Sequence, residues 1–224
     1  MTVVEEIPER NQRDRADLEG IAVTSGPGSF TGLRIGVATA KGLAYGLGCR
    51  LTAVNTLEAM AAALLEEHPR HQWAVPCLDA RRREIYAAVY RRQGGWVQEV
   101  LPPRARKIDA WWEVLRAELD DLNAPAFGGD GVELLLGQGG DLRPELSGTG
   151  EPHLRVWTAA HPPTARTLAV AMSAGESALP RVHPFALVPE YLRASDAELN
   201  RDLDLTPRRP ADNVDIHEGR QPGS

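Results

Sequence analysis

Disulfide chemistry has little to work with in this chain: it holds two cysteines in 224 residues, Cys49 and Cys77. Their spacing fits no zinc or redox pattern, so both read as small buried residues of a protein kept in a reducing, cytoplasmic compartment. No run of 18 apolar residues occurs, which removes a spanning helix and with it a membrane role. The opening MTVVEEIPERNQRDR carries both signs of charge and no apolar signal core, so export is not expected. Positive charge is also short: 25 Lys and Arg against 31 Asp and Glu leave a net charge of −6. Such a chain is a poor nucleic-acid binder acting alone, because phosphate contacts need clustered cations. What is present is ordinary for a globular protein, with 42% apolar and 25% charged residues. The length suits one large domain or two small ones.

Along the chain, Ile21-Ala22-Val23-Thr24 is a β-branched run expected to form a buried strand, and it ends in the turn-rich Ser25-Gly26-Pro27-Gly28-Ser29-Phe30-Thr31-Gly32. Apolar residues then recur at Leu33, Val37, Ala40, Ala44 and Leu47, a helical stripe that Gly48 can stop. A strand near Leu51–Val54 and a helix over 56–67, capped by Thr56, complete a strand-helix-strand-helix pattern that favours a layered α/β domain. Trp73–Leu78 and Glu84–Tyr90 read as two strands, the second with Ile85, Ala87 and Val89 on one face and Tyr86, Ala88 and Tyr90 on the other. Gly94-Gly95 and Pro102-Pro103 make residues 94–107 a turn and loop. Helices follow at about 110–122 and 164–173, and Ala126–Gly131 reads as strand end, turn and helix start. The last 19 residues, from Thr206, hold three prolines and two large aliphatics, and are expected to be a disordered tail.

The informative stretch is Thr24–Gly36. Gly26 and Gly28 free the backbone for a close approach, and Thr31 is placed to cap a helix whose first amides attract anions. Ser25, Gly26, Gly28, Ser29, Thr31 and Arg34 are therefore a candidate anion-binding loop, against the simpler reading of a tight strand-to-helix turn. Neither the phosphate-loop pattern nor the dinucleotide fingerprint matches, since Lys41-Gly42 falls inside the helix and the third glycine comes one residue late. Gly32, Gly36, Gly42 and Gly46 cost roughly 1 kcal/mol each inside a helix. Their presence calls for close backbone approach, either inside the fold or against a partner chain; with Val37, Ala40 and Leu43 they form the candidate partner surface.

Other chemistry is thin. His68 and His71 are three apart across a proline and do not share a regular helix face, so a metal site is not expected there. Ala171–Gly175 falls one residue short of a nucleophile elbow and lies on a helix. Arg81–Arg83 and the group Arg104, Arg106 and Lys107 read first as solvated turns, with direct RNA contact the lesser alternative. Asp79, Glu84 and Asp130 read as turn-stabilising carboxylates.

Ile21–Val23, Gly26–Gly36 and Ala40–Ala44 together resemble the signature of the bacterial TsaB family, as do Val54-Asn55-Thr56-Leu57-Glu58, Asp79-Ala80-Arg81 with Glu84-Ile85-Tyr86, and Pro189–Arg193. The resemblance implies an α/β, two-lobed, actin-like (ribonuclease H-like) fold. Residues 1–71 would be a first lobe lacking its opening phosphate strand and hairpin, 72–180 the second lobe, 181–199 a return to the first, and 200–224 a tail. It also implies a non-catalytic subunit that binds and activates TsaD in threonylcarbamoyl modification of tRNA, in a complex with a TsaE-like ATPase. Homodimerisation through the same helix, indirect access to tRNA, and ATP or ADP at the partner interface belong to that expectation. A glycoprotease-like enzyme, a small-molecule kinase and an inactive truncated fragment are the alternatives.

Overall fold

In a computed structural model of the chain, the described residues are 12, 14, 17–94, 96–119, 125–136, 165–166, 168–169 and 182–193, all within the compact unit Met1–Arg193. Two parallel strands, β1 (Gly20–Gly26) and β2 (Arg50–Asn55), pair from Gly20 opposite Arg50 to Thr24 opposite Val54. Parallel neighbours need a crossover, and helix α1 (Phe30–Leu47) supplies it. Leu33, Val37, Ala40 and Ala44 are its buried residues, and Val37, Ala40 and Ala44 pack with Leu51 and Leu187. The expected stop is present: Gly48 sits at φ 63°, and its N–H donates to the carbonyls of Ala44 and Tyr45. Leu47, placed on the inner stripe by sequence, is 38% exposed because it lies past the covered edge of the helix.

The second sheet sets residues 96–107, 84–93, 73–81 and 126–128 side by side in that order. Strands β3 (Trp73–Arg81), β4 (Glu84–Gln93) and β5 (Trp96–Lys107) are antiparallel, and β6 (Ala126–Gly128) runs parallel to β3. Helix α2 (Thr56–Glu67) covers one face, packing Leu57, Met60, Ala61, Leu64 and Leu65 around Tyr86, Ala88 and Tyr90. On the other face α3 (Ile108–Leu119) and α4 (Val132–Leu136) bring Trp111, Trp112, Leu115 and Leu135 onto Ile85, Ala87 and Val89. The alternation read from sequence is thus real, but both faces are interior.

Three local expectations are corrected. Residues 96–107 are a strand, not a loop: β5 lies at the sheet edge, and Pro102 and Pro103 fall where the register slips between Ala87 and Val89, so neither has to donate to the ladder. Helix α2 is capped by Asn55, whose Oδ1 accepts from the N–H groups of Leu57 and Glu58 (2.9 and 3.4 Å), while Thr56 is the first helical residue. Helix α1 is capped by Ser29, whose Oγ accepts from the Gly32 N–H at 3.3 Å, leaving Thr31 in the first turn. Part of the helix expected over 164–173 is present at 165–166 and 168–169; its remainder, residues 171–175 and the tail lie outside the described residues.

A tight corner joins β6 to α4. Gly129 has φ 109°, and a Cβ there would collide with the Cys77 carbonyl. Asp130 Oδ1 accepts from the Asp79 N–H at 2.9 Å, tying the corner to the end of β3. Gly129→Ala combines a left-handed backbone with a clash against a fixed carbonyl and should destabilise the protein by about 3 kcal/mol or more. Denaturant unfolding measures this; a variant within about 0.5 kcal/mol of the parent would contradict the packing.

Candidate functional site

The glycine loop after β1 is filled by the protein's own chain. The segment 182–193 runs back over the first sheet, with Val182 N–H donating to Leu51 O (2.9 Å) and Glu190 N–H to Ser25 O (2.7 Å). Gly26, at φ 129°, is required here, because a Cβ would strike the Glu190 carbonyl. Gly28 has only ordinary contact distances around it. Ser25 Oγ donates to Val54 O at 3.4 Å, and Asn55 Nδ2 to Glu190 Oε2 at 3.0 Å.

The cations of this region are also engaged. Arg34 Nε donates to the Tyr191 hydroxyl at 3.0 Å, and its guanidinium lies 3.9 Å from the Phe30 ring centroid. Lys41 Nζ donates to Leu187 O at 2.9 Å. These bonds fasten α1 to the returning segment.

The candidate partner residues divide between two sides of α1. Val37 and Ala40, 3% and 6% exposed, belong to the protein's own core and do not lie on an open surface. They follow the same period as Leu33 and Ala44. Gly32, Gly42 and Gly46 are exposed, while Gly36 and Leu43 are half-buried. No described residue lies within 4 Å of a Cβ built on Gly36, Gly42 or Gly46. Among the described residues, no neighbour requires these glycines.

Around them are residues the sequence reading missed. Ile35 is 62% and Tyr45 69% exposed, with Ala38 and Thr39 also outward. Phe185 and Val188, at 70% and 69%, extend the apolar surface, Phe185 meeting the Tyr45 ring edge-on at 5.5 Å between centroids. Counting 100° per residue from the Leu33–Ala44 stripe points to Ile35, Ala38, Thr39 and Gly42 as its opposite face. Phe185 and Val188 carried no local signal.

At the far end of β3 and β4, Arg81, Arg82 and Arg83 have φ of 66°, 55° and 60°. Non-glycine residues held there cost about 1–3 kcal/mol each. Asp79 offsets part of this, accepting from the Arg81 N–H at 2.7 Å and its guanidinium at 3.1 Å. Glu84 pairs with Arg193 at 3.2 Å, and Arg193 also donates to Ala80 O at 2.7 Å. Asp79 and Glu84 thus hold the turn, as their positions suggested.

His68 and His71 stack edge to face at 5.9 Å, and among the described residues no group of three or more His, Cys, Asp or Glu side chains could hold a metal ion. No described helix is long and apolar enough to cross a membrane.

Comparison with known proteins agrees with this architecture. Two solved Pseudomonas aeruginosa structures, one described as YeaZ and one as an uncharacterized protein with similarity to peptidase YeaZ, superpose with a TM-score of 0.64. Identity is 20–22%, over 85–86% of this chain and 81–82% of theirs. The fold is therefore the α/β, actin-like one of the YeaZ structures. The family model for TsaD, tRNA N6-adenosine threonylcarbamoyltransferase, matches residues 1–125. The Bacillus subtilis tRNA threonylcarbamoyladenosine biosynthesis protein TsaB is 34% identical over 81% of this chain and 72% of its own length. The Escherichia coli TsaB is 35% identical over 50% of this chain, which spans about half (53%) of that relative. The Geotalea uraniireducens tRNA N6-adenosine threonylcarbamoyltransferase is 32% identical over 67% of this chain and 39% of its own. The chain belongs to the TsaB family.

Where α2 begins, Glu58 is half-buried and accepts from Trp96 Nε1 at 2.8 Å. Burial raises its carboxyl above the usual 4.5; the Trp96 hydrogen bond opposes this and Glu99 adds to it. Tyr90, buried beside these carboxylates, has its phenol pushed up by burial and then by Glu58, Glu99 and Glu190. For a raised carboxyl the folded state holds the proton more tightly, so stability falls as pH climbs from about 4.5 through the folded pKa. Glu58→Gln keeps an acceptor for Trp96 and should unfold at a higher temperature than the parent at pH 7, the gap closing below pH 4.5. A gap that widens on acidification would reverse the sign.

Proposed function

We propose that this chain is a non-catalytic subunit that binds a tRNA N6-adenosine threonylcarbamoyltransferase of the TsaD kind and activates it in threonylcarbamoyl modification of tRNA. The observation that carries the reading is the outer face of α1. It is an apolar surface with glycines at Gly36, Gly42 and Gly46, open to another backbone. Large exposed apolar patches on otherwise ordinary surfaces mark association sites. Glycines that destabilise a helix without internal need fit a helix-on-helix contact of short interaxial distance. The similarity to both TsaB and transferase sequences supports a partner built on the same fold.

The same face is available to a second copy when the transferase is absent, giving a homodimer that the transferase displaces. A TsaE-like ATPase joins the assembly at another surface. We further propose that this chain alone holds no nucleotide. Arg34 and Lys41 are engaged by Tyr191, Phe30 and Leu187, and Glu190 places a carboxylate beside the loop. These residues do not suit a phosphate, so ATP or ADP at the interface would depend on the partner's groups. Chemical work is likewise left to the partner.

The test uses Gly42→Leu. A leucine there has open space in the monomer and better helix propensity, so stability should rise by up to about 0.8 kcal/mol. Association with the transferase, followed by gel filtration and by the partner-dependent rise in melting temperature, should be lost. A folded Gly42→Leu variant that binds at full strength would overturn the assignment.

A further inference from the structure

Two basic stretches about twenty residues apart in sequence meet at one end of the second sheet. The antiparallel register sets Lys107 opposite Glu84, Arg106 opposite Ile85 and Arg104 opposite Ala87. The Ile108 N–H closes the corner on the Arg83 carbonyl at 3.2 Å. Arg81, Arg82, Arg83, Arg104, Arg106 and Lys107 are all exposed. We propose that this corner, the β3–β4 turn with the adjoining end of β5, is a contact surface for the phosphate backbone of RNA. The inference rests on the subunit reading above for the choice of RNA among polyanions, and goes beyond it by giving the chain its own hold on the substrate.

Charge is the first support. Among the described residues, this end carries seven cations, Arg193 included, beside Asp79, Glu84, Asp109 and Asp130, in a chain whose overall charge is −6. Three of those acids are turned to structural work, Asp79 on Arg81, Glu84 on Arg193 and Asp130 on the Asp79 N–H. Five of the six exposed cations are arginines, whose planar fork binds phosphate through two parallel N–H donors. Arg104 and Arg106 are two residues apart on one strand and so share a face. Arg106 is steadied with its guanidinium 5.4 Å from the Trp111 ring centroid.

The turn backbone is the second. A two-strand turn with positive φ favours Asn-Gly, which adopts it with little strain. Here three consecutive arginines occupy that region at φ 66°, 55° and 60°. A turn selected for stability alone would not carry them. Their long charged side chains are what this backbone displays, at a place where the backbone disfavours any side chain.

That opposition gives a clean test. The double variant Arg82→Asn/Arg83→Gly should stay folded and bind the transferase unchanged. Its affinity for an unmodified tRNA transcript, read by fluorescence anisotropy on the chain alone and in complex with the transferase, should fall at least about tenfold. Between 50 and 200 mM salt the slope of log K against log salt should become shallower by roughly 1.5 to 2, as two lost phosphate contacts require. Arg104→Gln/Arg106→Gln, which leaves the turn untouched, should behave alike. Parental affinity and slope in both variants, or no tRNA binding by the parent in either form, would overturn the proposal. Loss of transferase binding in these variants would overturn it too, marking a protein contact. If the parent chain fails to bind the transferase, the subunit reading falls, and the tRNA titration of the chain alone still decides this one.

Discussion

Among the described residues, helix α1 is covered on one side and open on the other, and the two sides obey different rules. Inward, Leu33, Val37, Ala40 and Ala44 close the small core over β1 and β2, with Leu187 from the returning segment as the final contact. Outward, glycines weaken the helix where no described neighbour asks for them. A helix with such a face keeps its shape through tertiary packing rather than propensity. The inner stripe and the bonds from Arg34 and Lys41 therefore have to hold it in place while the other side stays free.

The segment 182–193 does more than complete that core. It fills the loop after β1 through Glu190, anchors two residues of α1 through Tyr191 and Leu187, and reaches the second sheet through Arg193. One stretch of chain thus ties the first sheet, α1 and the β3–β4 turn together. At one end of the candidate anion loop, Ser25 and Gly26 receive the backbone of Glu190. Gly26 serves the approach of Glu190 rather than that of a ligand.

Much of this was legible in the sequence because it depends on periodicity. The stripe on α1 from Leu33 to Ala44, its stop at Gly48, the alternation along β4 and the turn at Gly128–Gly131 follow local rules and stand where those rules put them. Most of what escaped depends on contacts between distant residues. Pro102 and Pro103 suggested a loop because no local signal shows that their strand lies at an edge beside a register slip. Ser29 and Asn55 take the capping positions from Thr31 and Thr56; serine and asparagine are the better caps, a local signal that the reading passed over. The open apolar surface needed Phe185 and Val188, some 140 residues from α1, and the basic corner needed the β4–β5 register.

The central claim is that the outer face of α1 receives another polypeptide. Amide hydrogen exchange, followed with and without the purified transferase, addresses it most directly. Slowed exchange confined to Ile35–Gly46 and the adjoining 183–191, with β3 and β4 unchanged, is the result the account predicts. A stable complex in which those amides exchange as they do in the free chain would contradict it.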